Sequence, residues 1–550
     1  MHNFRFYFAG LALVLSLVAA TTSSQVSAQT KTAKQSTPTF GNVEGITAAQ
    51  IKDYLEFIAS DELEGRDTPS RGLNIAAKYI ASHLSRWGLQ PGGANGTYFQ
   101  PFTVKLTKLD PTNSWAELNG QRFSCGEDFY PVTLMQGTFT APLVYVGHGW
   151  VHKGKNLNAY QGLEVKDKVM ISASGFPKGL SPNDLTGKMG EDWLSSVLYA
   201  QKNGAKALII VSSFGTLANW ATAYKSILEK GDVSFEKPGS ANPQIPILLA
   251  SPKFLTALFQ GEKQNASMIV SRAYTGEPLP GFDLTAKKLS LSIAAKAEAV
   301  TTRNIVAKLE GSDPVLKNEY VTIGAHYDHV GIGAPDATGD TIYNGADDDG
   351  SGTTAVMAIA EAFAKGPRPK RSMLFVWHAG EEHGLWGSEY LTDNPPIPIN
   401  QIITQLNIDM IGRAKAAGDT NPANQALPDP GEIFVIGSKM MSTELGELSE
   451  RVNKSLLNLK LNYKYDDPND PERYFYRSDH FNYARKGVPI IFYMDGNHAD
   501  YHRPSDSIEK IDFQQMEKVA RTIYATAWEL GNLANRPRVD KPLPAAVAGN

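Results

Sequence analysis

The sequence contains almost no cysteine. Cys125 is the only one in 550 residues, so no disulfide can form within the chain and stability must come from packed cores. The formal net charge is only -4 and basic residues form no cluster, which argues against nucleic acid or an anionic membrane surface as a partner. A neutral or peptide substrate fits this composition better.

Long apolar runs are also scarce. The run AGLALVLSLVAA follows the start MHNFRFYF and leads to small residues that end at Ala28. A cationic start, an apolar core too short for an anchor and a small-residue cleavage position are typical of a secretory signal peptide. We predict a signal peptide over residues 1–28 and an exported protein, periplasmic or extracellular, without stable membrane insertion. A retained signal anchor is the alternative, but no charge cluster follows the run.

The remaining chain is long enough for more than one packed core. Changes in composition and pattern divide it into a linker, two parts of one domain separated by an inserted domain, and a flexible tail. We predict the linker over residues 29–45, the first part of the main domain over 46–136 and the inserted domain over 137–274. The second part of the main domain follows over 275–535, and the tail over 536–550.

Apolar spacings of three and four predict two helices in ITAAQIKDYLEFIAS and GLNIAAKYIASHLSRWG. The insert alternates short strands with helices. His148 and His152 lie near a strand end there, where capping is a commoner role than metal binding. From Thr302 apolar strands alternate with helices, which predicts an α/β fold with a mixed, mostly parallel sheet flanked by helices. In such sheets ligands bind beyond the carboxyl ends of the strands.

Histidines and acidic residues follow several of these predicted strands. In AHYDH, His326 and Asp328 share one side of an extended chain, so His326 can bind a metal while Asp328 accepts from its other ring nitrogen. We interpret His329 as a neighbour and not a ligand.

Three consecutive aspartates, Asp347 to Asp349, stand before a predicted helix in YNGADDDGSG. Asp349 or Ser351 could cap that helix. Three adjacent carboxylates repel one another, and a bound divalent cation would relieve the repulsion. One of these carboxylates could use its two oxygens to bridge two cations.

Two adjacent glutamates in WHAGEEHG can serve a metal and a general base, because neighbouring side chains diverge. Asp409, within LNIDMIG, has apolar neighbours and therefore needs a metal or an arginine such as Arg413 as partner. The segment DYHRPSD adds His502, with His498 as a rival. This mixture of oxygen and nitrogen ligands is suited to two adjacent divalent cations and to hydrolysis.

These segments, in this order, resemble the co-catalytic zinc exopeptidases that include bacterial leucyl aminopeptidases, with glutamate carboxypeptidases and the transferrin receptor as relatives. The resemblance runs from LEGRDTPSRGLNIAAKYI to DYHRPSDS. It implies two zinc ions per chain, one held by His326 and Asp409, the other by Glu382 and His502, with Asp348 as the bridge. It further implies that Asp328 orients His326, that Glu381 is the general base and that Tyr501 donates to the oxyanion.

The phrases GLEVKDKVMI and YAQKNGAKALIIV in the insert resemble a protease-associated domain, a module of several exported peptidases. We therefore expect an exported metallo-aminopeptidase that acts on peptides. A carboxypeptidase of the glutamate carboxypeptidase type is the first alternative, with Arg473, Arg477 and Arg485 available for anions. A non-catalytic peptide-binding relative is the second, although a binder needs no general base. The sequence carries no signal for the oligomeric state.

Overall fold

The computed structural model describes residues 39–185, 187–220, 231–235 and 244–543. The predicted signal peptide lies outside the described residues, as does the linker up to residue 38. The rest of the predicted linker is packed, because Phe40 and Val43 are buried in the main core. The linker prediction is therefore wrong for residues 40–45, whose apolar side chains are too few to form a recognisable pattern.

The helices of the described residues begin and end as follows: α1 (Ala48–Ile58), α2 (Arg71–Arg86), α3 (Ser196–Lys202), α4 (Phe214–Ala218), α5 (Pro252–Phe259), α6 (Ala266–Thr275), α7 (Gly352–Lys365), α8 (Trp386–Asp393), α9 (Thr443–Leu456), α10 (His480–Ala484) and α11 (Phe513–Asn532). The sequence explains their starts. Thr47 and Gln50 form a capping box at α1, and the Ser70 side chain accepts from Leu73 N at α2.

The strands form two large sheets and two small ones. In chain order they are β1 (Gln90–Pro91), β2 (Phe99–Leu109), β3 (Trp115–Leu118), β4 (Gln121–Ser124), β5 (Phe129–Pro131), β6 (Gly137–Tyr145), β7 (Val151–His152), β8 (Leu157–Asn158), β9 (Val169–Ala173), β10 (Trp193–Leu194), β11 (Ala207–Val211), β12 (Asp232–Ser234), β13 (Ile247–Ala250), β14 (Phe282–Ile293), β15 (Ala295–Leu309), β16 (Tyr320–His326), β17 (Gly331–Ile332), β18 (Ile342–Tyr343), β19 (Ser372–His378), β20 (Ile402–Ile408), β21 (Glu432–Ile436), β22 (Lys460–Asn462) and β23 (Ile490–Met494).

The first large sheet has the order β12-β2-β15-β19-β16-β20-β23-β21-β22, and β1 pairs with β15. Its neighbouring strands β19, β16, β20 and β23 run parallel, whereas β12, β2 and β15 pair antiparallel on one side and β21 is antiparallel to β23. This confirms the predicted mixed α/β sheet and places its longest parallel run in the middle.

Helices cover both faces of this sheet, which is why its central strands β19, β20 and β23 are buried along their whole length. In β19, Phe375 and Trp377 point into a core built with α1, α2, α7, α9 and α11. Leu374 and Val376 point the other way, into a core with α8 and α10. The alternation follows from the two-residue period of a strand.

The second large sheet has the order β4-β3-β14-β6-β9-β11-β13-β5 and its own apolar cores. It uses residues 115–131 and 282–293, so it extends beyond the predicted segment 137–274 on both sides. Strand β12 is an exception in the opposite sense. It lies within the predicted insert, but it pairs with Lys105 to Thr107 of the first sheet.

The predicted flexible tail is wrong for residues 536–543. Arg536 forms an ion pair with Glu319 and Arg538 one with Glu444, while Leu543 packs on the core beside α10. Charged side chains gave no apolar pattern that could reveal this docking. Residues 544–550 lie outside the described residues.

No helix among the residues that the structure describes is long and apolar enough to cross a membrane.

Candidate metal centre

The candidate site lies where the four parallel strands of the first sheet end. His326 is the last residue of β16, Asp409 directly follows β20, and Glu381 and Glu382 follow β19 by three and four residues. His502 comes from the loop after β23. Since the carboxyl ends of parallel strands meet at one edge of the sheet, residues far apart in sequence converge there.

One group of donors contains His326, Asp348 and Asp409. The Nε2 atom of His326 lies 3.3 Å from Asp348 Oδ1 and 3.5 Å from Asp409 Oδ1. All three residues are buried. Nitrogen and carboxylate donors at this separation could hold one cation between them.

A second group contains His329, Asp348, Glu382 and His502. His502 Nε2 lies 3.1 Å from Asp348 Oδ2 and 2.9 Å from Glu382 Oε2, and His329 Nδ1 lies 2.7 Å from Glu382 Oε1. Asp348 thus offers one oxygen to each group. The sequence interpretation of His329 as a mere neighbour does not anticipate this placement, since its ring nitrogen is a fourth candidate donor.

The donor atoms themselves test whether a metal fits here. The buried atoms His502 Nε2, Glu382 Oε1 and His329 Nδ1 accept or donate no hydrogen bond of acceptable geometry. Burial lowers the pKa of His502, but the adjacent carboxylates of Asp348 and Glu382 outweigh it and raise that pKa to about 10. A histidine and carboxylate set of this kind suits zinc.

The loop that carries Asp348 is held by acidic side chains. Asp506 accepts from the main-chain nitrogens of Asp347 and Asp348, at 3.1 to 3.2 Å. Asp349 Oδ1 accepts from Gly352 N, the first residue of α7, at 2.9 Å, whereas Ser351 at the N-cap position makes no side-chain capping bond. Gly345 has φ +56°, and a Cβ there would lie 2.5 Å from the His329 ring, so only glycine lets the loop approach this histidine.

Asp409 has a different partner from the one considered in the sequence. Ser478 Oγ donates to Asp409 Oδ2 at 2.6 Å. Arg413 instead pairs with Asp500 at 3.1 Å. The arginine is only four residues away in sequence, but the chain turns after β20 and directs it towards another loop.

The rival histidine His498 lies outside both donor groups. Its Nε2 atom is 3.2 Å from Asp347 Oδ2. His502, in contrast, contacts Asp348 and Glu382, as the sequence favoured. The two histidines of one loop therefore reach two different aspartates of the Asp347 to Asp349 run.

Asp328 supports the site differently from the sequence prediction. His326 Nδ1 lies 3.1 Å from the main-chain oxygen of Asp328 and 3.7 Å from its carboxylate. The carboxylate oxygen Oδ1 accepts from Glu381 N at 3.3 Å. Asp328 thus fixes the His326 ring mainly through its carbonyl and the Glu381 segment through its side chain.

Glu381 and Tyr501 line a pocket beside both donor groups. Burial raises the pKa of Glu381 well above its ordinary value; His326 opposes this shift, and Glu382 and Asp409 add to it. The Tyr501 ring stacks on the His502 ring, with centroids 3.9 Å apart and planes 19° apart. A carboxylate with a high pKa and a phenol therefore face the same space.

Sequence reasoning missed Arg66, which is completely buried. Its guanidinium donates to the main-chain oxygens of Tyr327 at 3.1 Å, Asn344 at 2.6 Å, Gly345 at 3.0 Å and Ile58 at 2.5 Å. Three of these carbonyls belong to the loops that carry Asp328 and Asp348. The motif LEGR preceding a helix was visible, but nothing in it indicated that Arg66 binds carbonyls beside the acidic cluster.

The fold and the donor set define an α/β protein with two adjacent candidate metal sites that share one carboxylate. Residues 304–527 match the sequence model of peptidase family M28. All the donors named above lie within this range.

The chain is also similar to curated proteins that are named as peptidases. A probable zinc metalloprotease of Leptosphaeria maculans is 27% identical over 296 residues, which are 48% of this chain and 66% of the relative. Leucine aminopeptidase 2 of Arthroderma otae is 27% identical over 274 residues, 45% of this chain and 49% of the relative. The chain thus spans about half to two thirds of the length of these curated relatives.

Solved structures support the fold over a longer range. An aminopeptidase from Aneurinibacillus sp. strain AM-1 superposes with a TM-score of 0.53 and 18% identity, covering 91% of this chain and 97% of that one. A zinc aminopeptidase from Bacillus subtilis gives a TM-score of 0.52 and 17% identity, covering 88% and 95%. At this identity the likeness concerns the fold.

Proposed function

We propose that the protein is a zinc-dependent metallo-aminopeptidase that removes N-terminal residues from peptides. The observation that carries this proposal is the position of Asp348, whose two carboxylate oxygens face two separate donor groups. A shared carboxylate between two metal sites is suited to hydrolysis by an activated water. The relatives named as a zinc metalloprotease and a leucine aminopeptidase support the same activity.

The donor geometry supports two zinc ions. His326 and Asp409 would hold one, Glu382 and His502 the other, and Asp348 would bridge them. His329, 2.7 Å from Glu382, either joins the second group or orients Glu382. When bound, the zinc pair supplies Lewis acidity and lowers the pKa of a nearby water.

The protein's own residues then carry the proton and position the substrate. Glu381 accepts a proton from the attacking water and delivers it to the nitrogen of the leaving amine. Tyr501 donates its hydroxyl proton in a hydrogen bond to the oxyanion that forms on the scissile carbonyl. Asp328 holds the Glu381 main chain, and with it the base, in place.

The proposal also includes export and the identity of the second sheet. The predicted signal peptide supports export to the periplasm or the medium. We propose that the second sheet is a protease-associated module, and its separate apolar cores support this proposal. Such a module would affect the substrate range and not the chemistry. A non-catalytic peptide binder accounts less well for Glu381, which faces the pocket without belonging to either donor group.

The two adjacent glutamates provide the test. Glu381→Gln should retain the bound zinc while kcat falls by roughly a hundredfold to ten-thousandfold, the usual contribution of a general base. Glu382→Gln should instead lower the zinc content, because His502 and Asp348 lose the carboxylate that completes their group. Metal analysis and steady-state kinetics on both variants separate the roles, and the opposite pattern would exchange them.

A further inference from the structure

The pocket beside the metal centre has a mixed wall. On one side are carboxylates of the centre, Asp348, Glu381 and Asp409. The buried side chains of Phe492 and Met494 form an apolar part of the wall. A substrate residue that enters this pocket therefore meets the reacting groups and an apolar surface at the same time.

One arginine also lines the pocket. The segment from residue 473 to residue 485 contains three, and the structure gives each a different environment. Arg485 pairs with Glu389 at 3.1 Å, and Arg473 lies over the Tyr476 ring, 5.0 Å from its centroid. Arg477 alone of the three lines the pocket.

The position of Arg477 is fixed from two directions. Its guanidinium carbon lies 4.8 Å from the centroid of the Tyr474 ring, and Tyr474 is buried. The next residue, Ser478, donates to Asp409 Oδ2 at 2.6 Å and accepts from Asn407 Nδ2 at 2.9 Å. The arginine is therefore tied to a candidate metal ligand through a single peptide unit, and the aromatic ring supports its guanidinium from one face.

The charge of Arg477 is available to a ligand. Its side chain is exposed, and among the described residues no carboxylate lies within 4.0 Å of its guanidinium nitrogens. An arginine fork matches a carboxylate in shape and binds it with two parallel hydrogen bonds. No other lysine or arginine lines this pocket in the part of the chain that the structure describes.

We propose that Arg477 binds a carboxylate of the substrate and so determines specificity. The preferred substrates are then peptides that present a carboxylate beside the scissile bond, either an acidic side chain or the terminal carboxylate of a very short peptide. This inference rests on the proposed peptidase function and adds a substrate class to it. The chemistry is the same for both sources, and the experiment distinguishes them.

The test uses the zinc-loaded full-length protein and two matched substrate pairs. Glu-Ala-amide against Gln-Ala-amide changes only the side-chain charge, and Ala-Ala against Ala-Ala-amide changes only the terminal charge. The expected result is that kcat/KM favours the acidic member of one pair by about tenfold or more. The pair in which this occurs identifies the source of the carboxylate.

Variants then assign the preference to Arg477. Arg477→Gln should reduce the acidic-to-neutral ratio of kcat/KM towards one, Arg477→Glu should invert it, and Arg477→Lys should keep part of it. Arg473→Gln is the matched control, because it removes a nearby arginine outside the pocket and should keep the ratio. Zinc content and melting temperature of each variant identify any that fail to fold.

Three results would contradict the inference. Equal rates on acidic and neutral members, with both hydrolysed, would refute the role of Arg477 and leave the peptidase function intact. An acidic preference that persists in Arg477→Gln would do the same. If the zinc-loaded protein hydrolyses none of the four substrates, the proposed aminopeptidase function fails, and the inference fails with it.

Discussion

The two large sheets are built alike but differ in what lies at their strand ends. In the first sheet, His326 lies within 3.5 Å of the carboxylates of both Asp348 and Asp409 at the strand ends. In the second sheet, strands β9 and β11 are also parallel and also nearly fully buried. In the same part of the chain, however, the histidines contact main-chain oxygens. His148 Nδ1 lies 3.2 Å from Ser174 O, and His152, in strand β7 of the small sheet β10-β7-β8, has its Nε2 atom 2.8 Å from Asp184 O.

A buried parallel sheet alone does not make a metal site. His148 and His152 each have a main-chain oxygen as partner, and His152 also accepts from Lys155 N, as expected of a capping histidine. In the first sheet the buried histidines and carboxylates contact one another instead. Charged donors without enough local partners are costly unless a cation joins them, so the two regions should respond differently to mutation.

The largest expected effect comes from the shared carboxylate. Asp348→Asn keeps the size of the side chain but removes the charge that both donor groups use. We expect zinc content to fall at both sites and kcat/KM to fall by more than about a thousandfold. Metal analysis after dialysis, together with peptidase kinetics, measures both quantities.

A matched control lies in the second sheet. Asp128 is also buried, accepts from Ser124 N at 2.9 Å and pairs with Lys253 at 3.0 Å. Asp128→Asn should lower the melting temperature but leave zinc content at the wild-type value. If both variants lost zinc equally, the distinction between the two sheets would be wrong.

A smaller effect is expected for the buried arginine of the first sheet. Arg66→Met leaves the carbonyls of Tyr327, Asn344 and Gly345 without their donor and removes a positive charge near Asp348. Losing one partner of a buried charge network typically costs about 3–5 kcal/mol. We expect a loss of that order in the free energy of unfolding and weaker zinc binding.

Arg66→Lys separates charge from geometry at this position. Lysine keeps the charge but cannot donate to four carbonyls in a plane, so it should recover part of the zinc affinity and less of the stability. Denaturant unfolding and zinc titration of both variants give the two quantities. A change in unfolding free energy below about 1 kcal/mol in Arg66→Met would contradict this account of the buried cation.

The smallest effect on the metal centre should follow from removing the second sheet. Leu109 and Ala295 are direct partners in adjacent strands β2 and β15, so a two-residue Asn-Gly turn can join them in place of residues 110–294. The shortened protein should keep two zinc ions. It should lose some stability, because Phe235 no longer packs on Trp386 and Tyr390. A folded product without zinc would show that the second sheet supports the centre.

Much of the fold could be predicted because period and length indicate each element. The strands ending at His326 and His378 and the helices over 48–58 and 71–86 match the predicted segments. The boundaries between the two large sheets were harder to predict from the sequence. Strand pairing is a long-range property, and nothing in the local sequence indicates that β3 joins the second sheet or that β12 returns to the first.

The site residues also fall into those that the sequence predicts and those that only the structure reveals. His326, Asp348, Glu382, Asp409 and His502 were predicted from motifs, and the structure brings them together. His329, Arg66 and Asp506 contribute through contacts that cross the molecule, such as Asp506 with the main chain of Asp348. The His329 ring packs against the loop at Gly345, and this close approach exists only in the folded chain.

Zinc stoichiometry tests the central claim most directly. The purified protein is stripped with a strong chelator, zinc is added back stepwise, and bound metal and peptidase activity are measured at each step. Two donor groups that share Asp348 predict two zinc ions per chain at saturation, with activity absent from the stripped protein and restored by zinc. Saturation at one ion or none, or a fully active metal-free protein, would contradict the account.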